Sequence, residues 1–375
     1  MLERFHVPHD EEIRIQYSEL QRLSTEILIK SGLTDHHAKI ATDVLLKADI
    51  RGVDTHGVSN MLRNYVQYFN EGSANPKPNW KIIRETESCA TVDSDQGLGV
   101  VVVPLCMEIA IEKAKKTGVG LVSIGNGRHL GMAAYHAMMA LEHDMIGTCM
   151  TSSTTNVVPT HAAIPGIGTN PIAVAAPALS KAPFVFDAAT SAIATNKVRV
   201  AQRIGVPLAP GWITDEKGNP IMVDTPLKQS DDPNDVAGIM QTPVGATREL
   251  GSHKGFSLGM VVDILGSILN GSLAGPLRTF KAHQNHFVAA YSIDAFTELN
   301  KFKKMMDEYL QILEDLPPVK GQKRVFYAGL MEEETTKERM EKGIPLHPEV
   351  INWFEDICSE LSIDFDISKD GVKDA

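Results

Sequence analysis

The stretch that most constrains this chain is Arg51 to Tyr65, RGVDTHGVSNMLRNY, because it joins two helical segments through a turn that carries a histidine. Between Ser18 and Lys47, Leu20, Leu23, Ile27 and Leu28, then Ile40, Val44 and Leu45, recur at helical spacing. Met61, Leu62, Tyr65, Val66 and Phe69 repeat that period downstream. Asp54 and Thr55 are strong N-cap residues, so they predict a helix start beside His56 and Gly57. The dipole at a helix start disfavours a protonated imidazole, which keeps such a histidine neutral and able to exchange protons. The plainer reading is a capped helix with a satisfied surface histidine.

A chain of 375 residues can bury a sizeable core and suggests two or three domains. Hydrophobic residues at 43% and charged residues at 22% describe a soluble globular protein. A net charge of -11 argues against a nucleic-acid partner but leaves room for an anionic substrate, which a few local cations can hold. Cys89, Cys106, Cys149 and Cys358 stand alone, as free thiols of a reducing compartment do. The first twenty residues carry acids throughout and predict no signal peptide; no long apolar run predicts a membrane span. The expected location is the cytoplasm.

Residues 1–16 read as a strand or arm, 17–70 as helices, and 72–78 as a loop. Short strands are expected at 80–86 and 90–96, followed by a buried strand or helix start that runs into a helix ending at Thr117-Gly118. Then come a strand at 120–124, a GNGR turn at 125–128, a helix at 130–142 and a strand at 146–151. The glycines at 125, 127 and 131 form a relaxed dinucleotide fingerprint, with Glu142 and Asp144 near the acid position; alone, the match is weak. Residues 151–195 are almost uncharged and rich in small hydroxyl residues, Gly, Ala and Pro, which suits short strands and loops lining a cleft. A further helix is expected from 251 to 266, with Lys254 near its anion-attracting N-terminus and Asp263 buried. Strands at 286–293 and 323–330 alternate with helices at 294–314, 331–342 and 348–361, and the tail at 368–375 reads as frayed.

The thirteen histidines do not make a metal site by their spacing. His129, His136 and His143 are seven apart, and each step is about 10.5 Å along a helix, too far to share an ion. No HExxH zincin motif occurs, and no GxSxG elbow supports a serine hydrolase. His136 and His143 read as core or surface residues. His129 stands beside Arg128 and glycines, where a side chain can face a ligand.

Taken in order, RGVDTHGV (51–58), NGRHLG (126–131), GTNP (168–171), FDAATS (186–191) with Asn196-Lys197, SHKG (252–255) and HPEV (347–350) form one pattern. It resembles the malate/L-lactate dehydrogenase family that is distinct from the Rossmann-type enzymes of the same names. The likeness runs from about residue 17 to 355. Ureidoglycolate and sulfolactate dehydrogenases, diketogulonate reductase and a cyclic-imine reductase belong to that family. The resemblance implies an α+β fold, with a non-Rossmann NAD(P)-binding domain built on a mostly antiparallel sheet. It also implies a helical domain formed from both chain ends. The boundaries expected here are 1–80 and 286–375 for the helical, dimerising part and 81–285 for the cofactor-binding part.

The implied reaction is hydride transfer between NAD or NADP, with NAD favoured, and a 2-hydroxy/2-oxo acid. A cyclic imine, another oxo-compound or ureidoglycolate is the alternative substrate. A neutral histidine suits the accompanying proton transfer in both directions. The resemblance offers His56 and His129 for that role, His56 slightly ahead. It matches Met150 and Thr169 to the substrate, and Ser153, Asp187, Ala188 and Lys254 to the cofactor. Many relatives carry an arginine four residues after the motif histidine, where it grips the substrate carboxylate as a fork. Here that position is Asn60, and Arg63 is the nearest arginine. A second departure is Gly329-Leu330, where relatives have Gly-Glu. The implied partners are a small carboxylate and a second copy of the chain in a homodimer or larger homo-oligomer, with no nucleic acid and no metal.

Overall fold

The computed structural model describes residues 3–227, 236, 238–278 and 283–367; the expected frayed tail at 368–375 lies outside the described residues. A short strand β1 (Ile13–Ile15) precedes helices α1 (Tyr17–Lys30), α2 (Asp35–Ile50) and α3 (Val58–Asn70). Strands β2 (Lys81–Glu85) and β3 (Cys89–Asp93) lead to α4 (Gly99–Thr117), and β4 (Val119–Gly127) to the short α5 (Ala133–Met138). Strands β5 (Met145–Ser152), β6 (Thr155–Val157), β7 (Ile167–Gly168), β8 (Ile172–Ala176) and β9 (Phe184–Ala188) precede α6 (Thr195–Arg203). Next come α7 (Ser252–Gly266), β10 (Gln284–Ser292), α8 (Leu299–Glu314), α9 (Leu330–Lys342), β11 (Ile344–Leu346) and α10 (Pro348–Leu361).

The helical periodicity buries what it predicts. Leu20, Leu23, Ile27 and Leu28 of α1 meet Val44 and Leu45 of α2, Leu62 and Tyr65 of α3, and Val350 and Phe354 of α10 in one core. Each such leucine contributes on the order of 2 kcal/mol by leaving water. Thr34 caps α2 by accepting the His37 N–H at 3.2 Å. The antiparallel pair β1–β11, with Ile13 opposite Leu346, ties the two chain ends to this core.

A seven-stranded mixed sheet in the order β2-β3-β4-β10-β5-β8-β9 forms the second body. Only β3–β4 run parallel; the other neighbours are antiparallel. Strand β10 lies between β4 and β5, so residues 286–292 belong to the sheet although a boundary at 285/286 would assign them to the helical part. Helix α4 packs into both cores, with Val100 to Val103 all buried. This four-valine run is therefore helical from Gly99 onward, because burial on every side outweighs β-branched propensity. A third cluster joins Phe5, Val198, Leu208 and Ile213 across α6 and the loops after it.

Three local expectations are corrected. The GNGR segment is no turn: Gly125 pairs with Asp93 and Gly127 with Gln284, so β4 continues to Gly127, with Asn126 at φ +56° and a register shift between Gln284 and His286. After it the chain stays extended, Gly131 has φ +77°, and α5 covers only Ala133–Met138 before a 3₁₀ turn. Residues 323–330 form no strand; Val185 N–H donates to Ala328 O at 2.9 Å, without a paired ladder. Among the described residues no helix is long and apolar enough to cross a membrane. All four cysteines are free.

Candidate active site

The junction of α2 and α3 is held by a residue that the local sequence does not advertise. Asp49, fully buried near the end of α2, accepts the Val58 N–H on Oδ2 at 2.8 Å and so caps α3. Neither Asp54 nor Thr55 does this; Gly57 occupies the N-cap position. A Cβ on Gly57 would lie 1.8 Å from Asp49 Oδ1, so only glycine lets the turn close on the carboxyl group. Burial raises the Asp49 carboxyl well above the usual carboxylate range, against the opposing pull of the Val58 N–H. Asp54 instead pairs with Arg339 of α9, whose guanidinium also donates to Asp49 O.

These contacts fix His56 at the turn. Thr55 Oγ1 lies 2.8 Å from His56 Nδ1, and Asn196 Nδ2 of α6 donates to Thr55 O at 2.6 Å. Burial, then the nearby charge of Lys197, lowers the His56 pKa to about 4. The imidazole is neutral, as the sequence led us to expect, but through desolvation rather than a helix dipole.

The second histidine sits in a loop clamped from two sides. His286 Nε2 donates to Arg128 O at 3.0 Å while Thr151 Oγ1 meets its Nδ1 at 3.0 Å. His136 Nε2 donates to Leu130 O at 2.9 Å. Both are fully buried, and burial lowers the first to about 3 and the second to about 4. Between the two clamped carbonyls, His129 turns toward α3. Its Nδ1 accepts the Gly131 N–H at 3.1 Å and lies 2.9 Å from Tyr65 OH. A backbone N–H can only donate, so neutral His129 carries its proton on Nε2. Burial, followed by the neighbouring His56, holds its pKa well below the ordinary value. The His56 and His129 rings stack with centroids 5.7 Å apart and planes inclined by 15°.

His56, Thr169, Asp187 and Ala188 line one cleft of about 480 Å³, together with Lys197 and Trp212. Asp187, at the end of β9, accepts the Ala134 N–H at the start of α5 at 2.7 Å. Desolvation by the surrounding walls raises its pKa to about 6. Ala188, Ala189, Ala192 and Gly329 leave the backbone of one wall open to close approach by a flat ring and ribose, so the walls fit a nicotinamide nucleotide. Ser153 stands one hydroxyl behind this wall, its Oγ 3.0 Å from Thr169 Oγ1. Lys254 is exposed on the first turn of α7; that helix meets the cleft rim where Gly255 packs on Val244.

Three expected substrate residues do not line this cleft. Met150 lies on β5 opposite Ile172 and Phe287. Asn60 is buried, with Nδ2 donating to Asp54 O at 2.7 Å. Arg63 binds Glu349 at 2.6 Å and lies 5.2 Å above the Trp353 ring. Its guanidinium is therefore taken by an outer acid and an indole. His136 is core, and His143 is exposed, as their spacing suggested. Lys197 and Arg51 of the cleft, and Asp49 beneath it, were missed as site residues. For Lys197 the signal was present, next to Asn196 in the FDAATS neighbourhood; for Asp49 it was not, since nothing local marks a helix-end aspartate as the cap of the next helix.

A family model described as malate/L-lactate dehydrogenase matches residues 15–355. The chain is 37% identical over 356 residues to a malate dehydrogenase of Pyrococcus abyssi, which covers 94% of this chain and 96% of that protein. It is 29% identical over 351 residues to an L-sulfolactate dehydrogenase of Methanocaldococcus jannaschii, covering 92% and 96%. The crystal structure of a malate dehydrogenase from Entamoeba histolytica superposes with a TM-score of 0.88 at 29% identity, covering 95% of this chain and 100% of that one.

Proposed function

The chain belongs to the malate/L-lactate dehydrogenase family, and from that premise we propose that it interconverts a 2-hydroxy acid and its 2-oxo acid with a histidine as proton carrier. The observation that carries this reading is the stacked pair of neutral imidazoles, one of which opens onto the cleft beside a cation. A nicotinamide cofactor supplies or accepts the hydride when bound. Asp187, Ala188 and, from behind Thr169, Ser153 are the residues we assign to it, with Lys254 at the rim for its anionic portion.

His56 is the better proton carrier of the two. Its Nδ1 faces a hydroxyl, which can accept from or donate to the ring, so either tautomer is satisfied. With Nδ1–H directed at Thr55 Oγ1, Nε2 is a free base that can take the substrate hydroxyl proton during oxidation and return it during reduction. His129 lacks this freedom, because the Gly131 N–H fixes its Nδ1 as acceptor. It is a positioning residue, stacked on His56 with its proton held on Nε2. Thr169 borders the substrate side.

NAD is favoured over NADP. Asp187 and Glu332 line the cleft, and the Arg51 charge faces Glu333 at 3.7 Å, so an extra phosphate on that side would meet carboxylates. The apolar outer face of α7, with Leu258, Val261 and Ile264 exposed, suits a homodimer. Four free thiols suit the cytoplasm.

Absorbance at 340 nm with NADH or NADPH and a panel of 2-oxo acids tests the assignment. Turnover of one or more acids with NADH supports it. Turnover only of a cyclic imine with NADH or NADPH, or only of ureidoglycolate with the oxidised cofactor, moves the enzyme to the alternative substrate, which the buried Asn60 makes the second reading. No turnover with any of them rejects dehydrogenase function.

A further inference from the structure

Resting on the reading of the cleft as a 2-hydroxy-acid site, we propose that Lys197 grips the substrate carboxylate. An arginine four residues after the motif histidine would do so by a fork; here that position cannot. Asn60 spends its amide inside the protein, donating to Asp54 O at 2.7 Å and meeting Arg203 at 3.4 Å. Arg63 and Arg203 both bind Glu349, at 2.6 and 3.0 Å, and neither lines the cleft. A carboxylate held near His56 must therefore find its cation elsewhere.

Of the cleft-lining residues, only Arg51 and Lys197 carry a fixed positive charge. Arg51 is buried and faces Glu333 at 3.7 Å. Lys197 sits in the first turn of α6, next to Asn196, whose amide holds the peptide oxygen just before His56. Its ammonium lies 5.4 Å above the Phe5 ring, and among the described residues it has no carboxylate at ion-pair distance. A partly buried cation without a counter-ion is costly unless an anion joins it. That cost is visible in its acidity: burial draws the Lys197 pKa down to about 8, with Asp54 opposing from a distance. A substrate carboxylate placed against Lys197 would supply the missing charge and bring the 2-carbon beside His56. The lysine offers a single point charge in place of a planar fork, so it restrains the carboxylate's position more than its tilt.

The test uses the whole enzyme saturated with NADH and oxamate, a non-reacting isostere of a 2-oxo acid, as probe. Binding is read from tryptophan fluorescence, since Trp212 lines the cleft. Lys197→Met and the near-isosteric Lys197→Gln should each weaken oxamate about 10- to 100-fold, the size of one charged hydrogen bond. KM for the 2-oxo acid should rise by a similar factor while kcat falls less, NADH affinity should stay unchanged, and Lys197→Arg should recover most of the loss. If the unmodified enzyme binds oxamate and the soluble, folded Gln or Met variant binds it equally well, the assignment is wrong. A Lys197→Arg variant as impaired as Lys197→Gln also overturns it, which keeps a readout should Met prove insoluble. Unmodified enzyme that neither turns over a 2-oxo acid nor binds oxamate overturns the functional reading and this assignment together; turnover without a lysine effect overturns this assignment alone.

Discussion

The imidazole of His56 lies over that of His129, with 5.7 Å between centroids and 15° between planes. Two such rings in a desolvated pocket cannot both be charged, and burial keeps each neutral near pH 7. The free-enzyme pH profile follows. The neutral form of His56 is the one that accepts a proton, and its protonated form accumulates only below about pH 4. For alcohol oxidation, kcat/KM should therefore show no acid limb near 6.5 and should fall only as pH drops toward 4. An acid limb centred at 6.5 would assign the proton transfer to a group other than these two.

His56→Ala should lower kcat at least ~100-fold, the usual scale of general acid–base catalysis. His129→Gln retains an N–H donor and should lose less. Steady-state kinetics of both variants decides between them: near-normal kcat in the His56 variant moves the proton to His129.

Gly57 and Asp49 are coupled by contact. Gly57→Ala forces a Cβ onto the carboxyl group, 1.8 Å from Oδ1, and should cost about 1–3 kcal/mol of stability by overpacking. Asp49→Asn retains an acceptor for the Val58 N–H and should be far milder than Asp49→Ala, which loses the cap, worth ~1 kcal/mol, and leaves a cavity. Urea denaturation of the three variants checks the order.

Acid should unfold this protein steeply. His136 and His286 are fully buried with pKa values of about 4 and 3, below the 6.5 of the unfolded chain. Below pH 6.5 the unfolded state binds two protons that the folded state refuses. Stability is thus intact above 6.5 and declines by about 2.7 kcal/mol per pH unit from these two groups as pH falls toward 4. His136→Gln keeps a donor for Leu130 O and should remove about half of that contribution, measurable as the pH dependence of the denaturation midpoint.

Arg63→Leu should leave KM for a 2-oxo acid within about twofold, because its guanidinium is engaged by Glu349 and Trp353. A large rise in KM would show that the side chain reaches the cleft during turnover.

Val261→Lys and Ile264→Lys place charge on the exposed apolar face of α7. If the proposed homodimer forms through this face, sedimentation should shift these variants toward monomer; an unchanged sedimentation coefficient overturns that interface.

Much of this protein was legible in the chain itself. Apolar spacing announces α1 to α3 and α10 because each helix face is written by residues three and four apart, and those faces are the ones buried. The DTHG turn announced a neutral histidine, which lines the cleft, and the near-uncharged stretch after Thr151 supplied Thr169, Asp187 and Ala188 to it. The glycines of GNGR misled, since the same residues that permit a turn also permit the close strand packing of β4.

What the chain alone determined was local: helices, cleft-forming composition, and the turn that presents His56. Tertiary structure alone decided which residues line the cleft and which are engaged elsewhere. It brought Asp49 under Gly57 as the cap, clamped His129 between His136 and His286, and withdrew Asn60 and Arg63 from the cleft. It left Lys197 beside His56 in the cleft, with no carboxylate at ion-pair distance among the described residues. The physical reason is that these roles depend on desolvation and on partners tens to hundreds of residues away, whereas sequence patterning records only what a residue's near neighbours require.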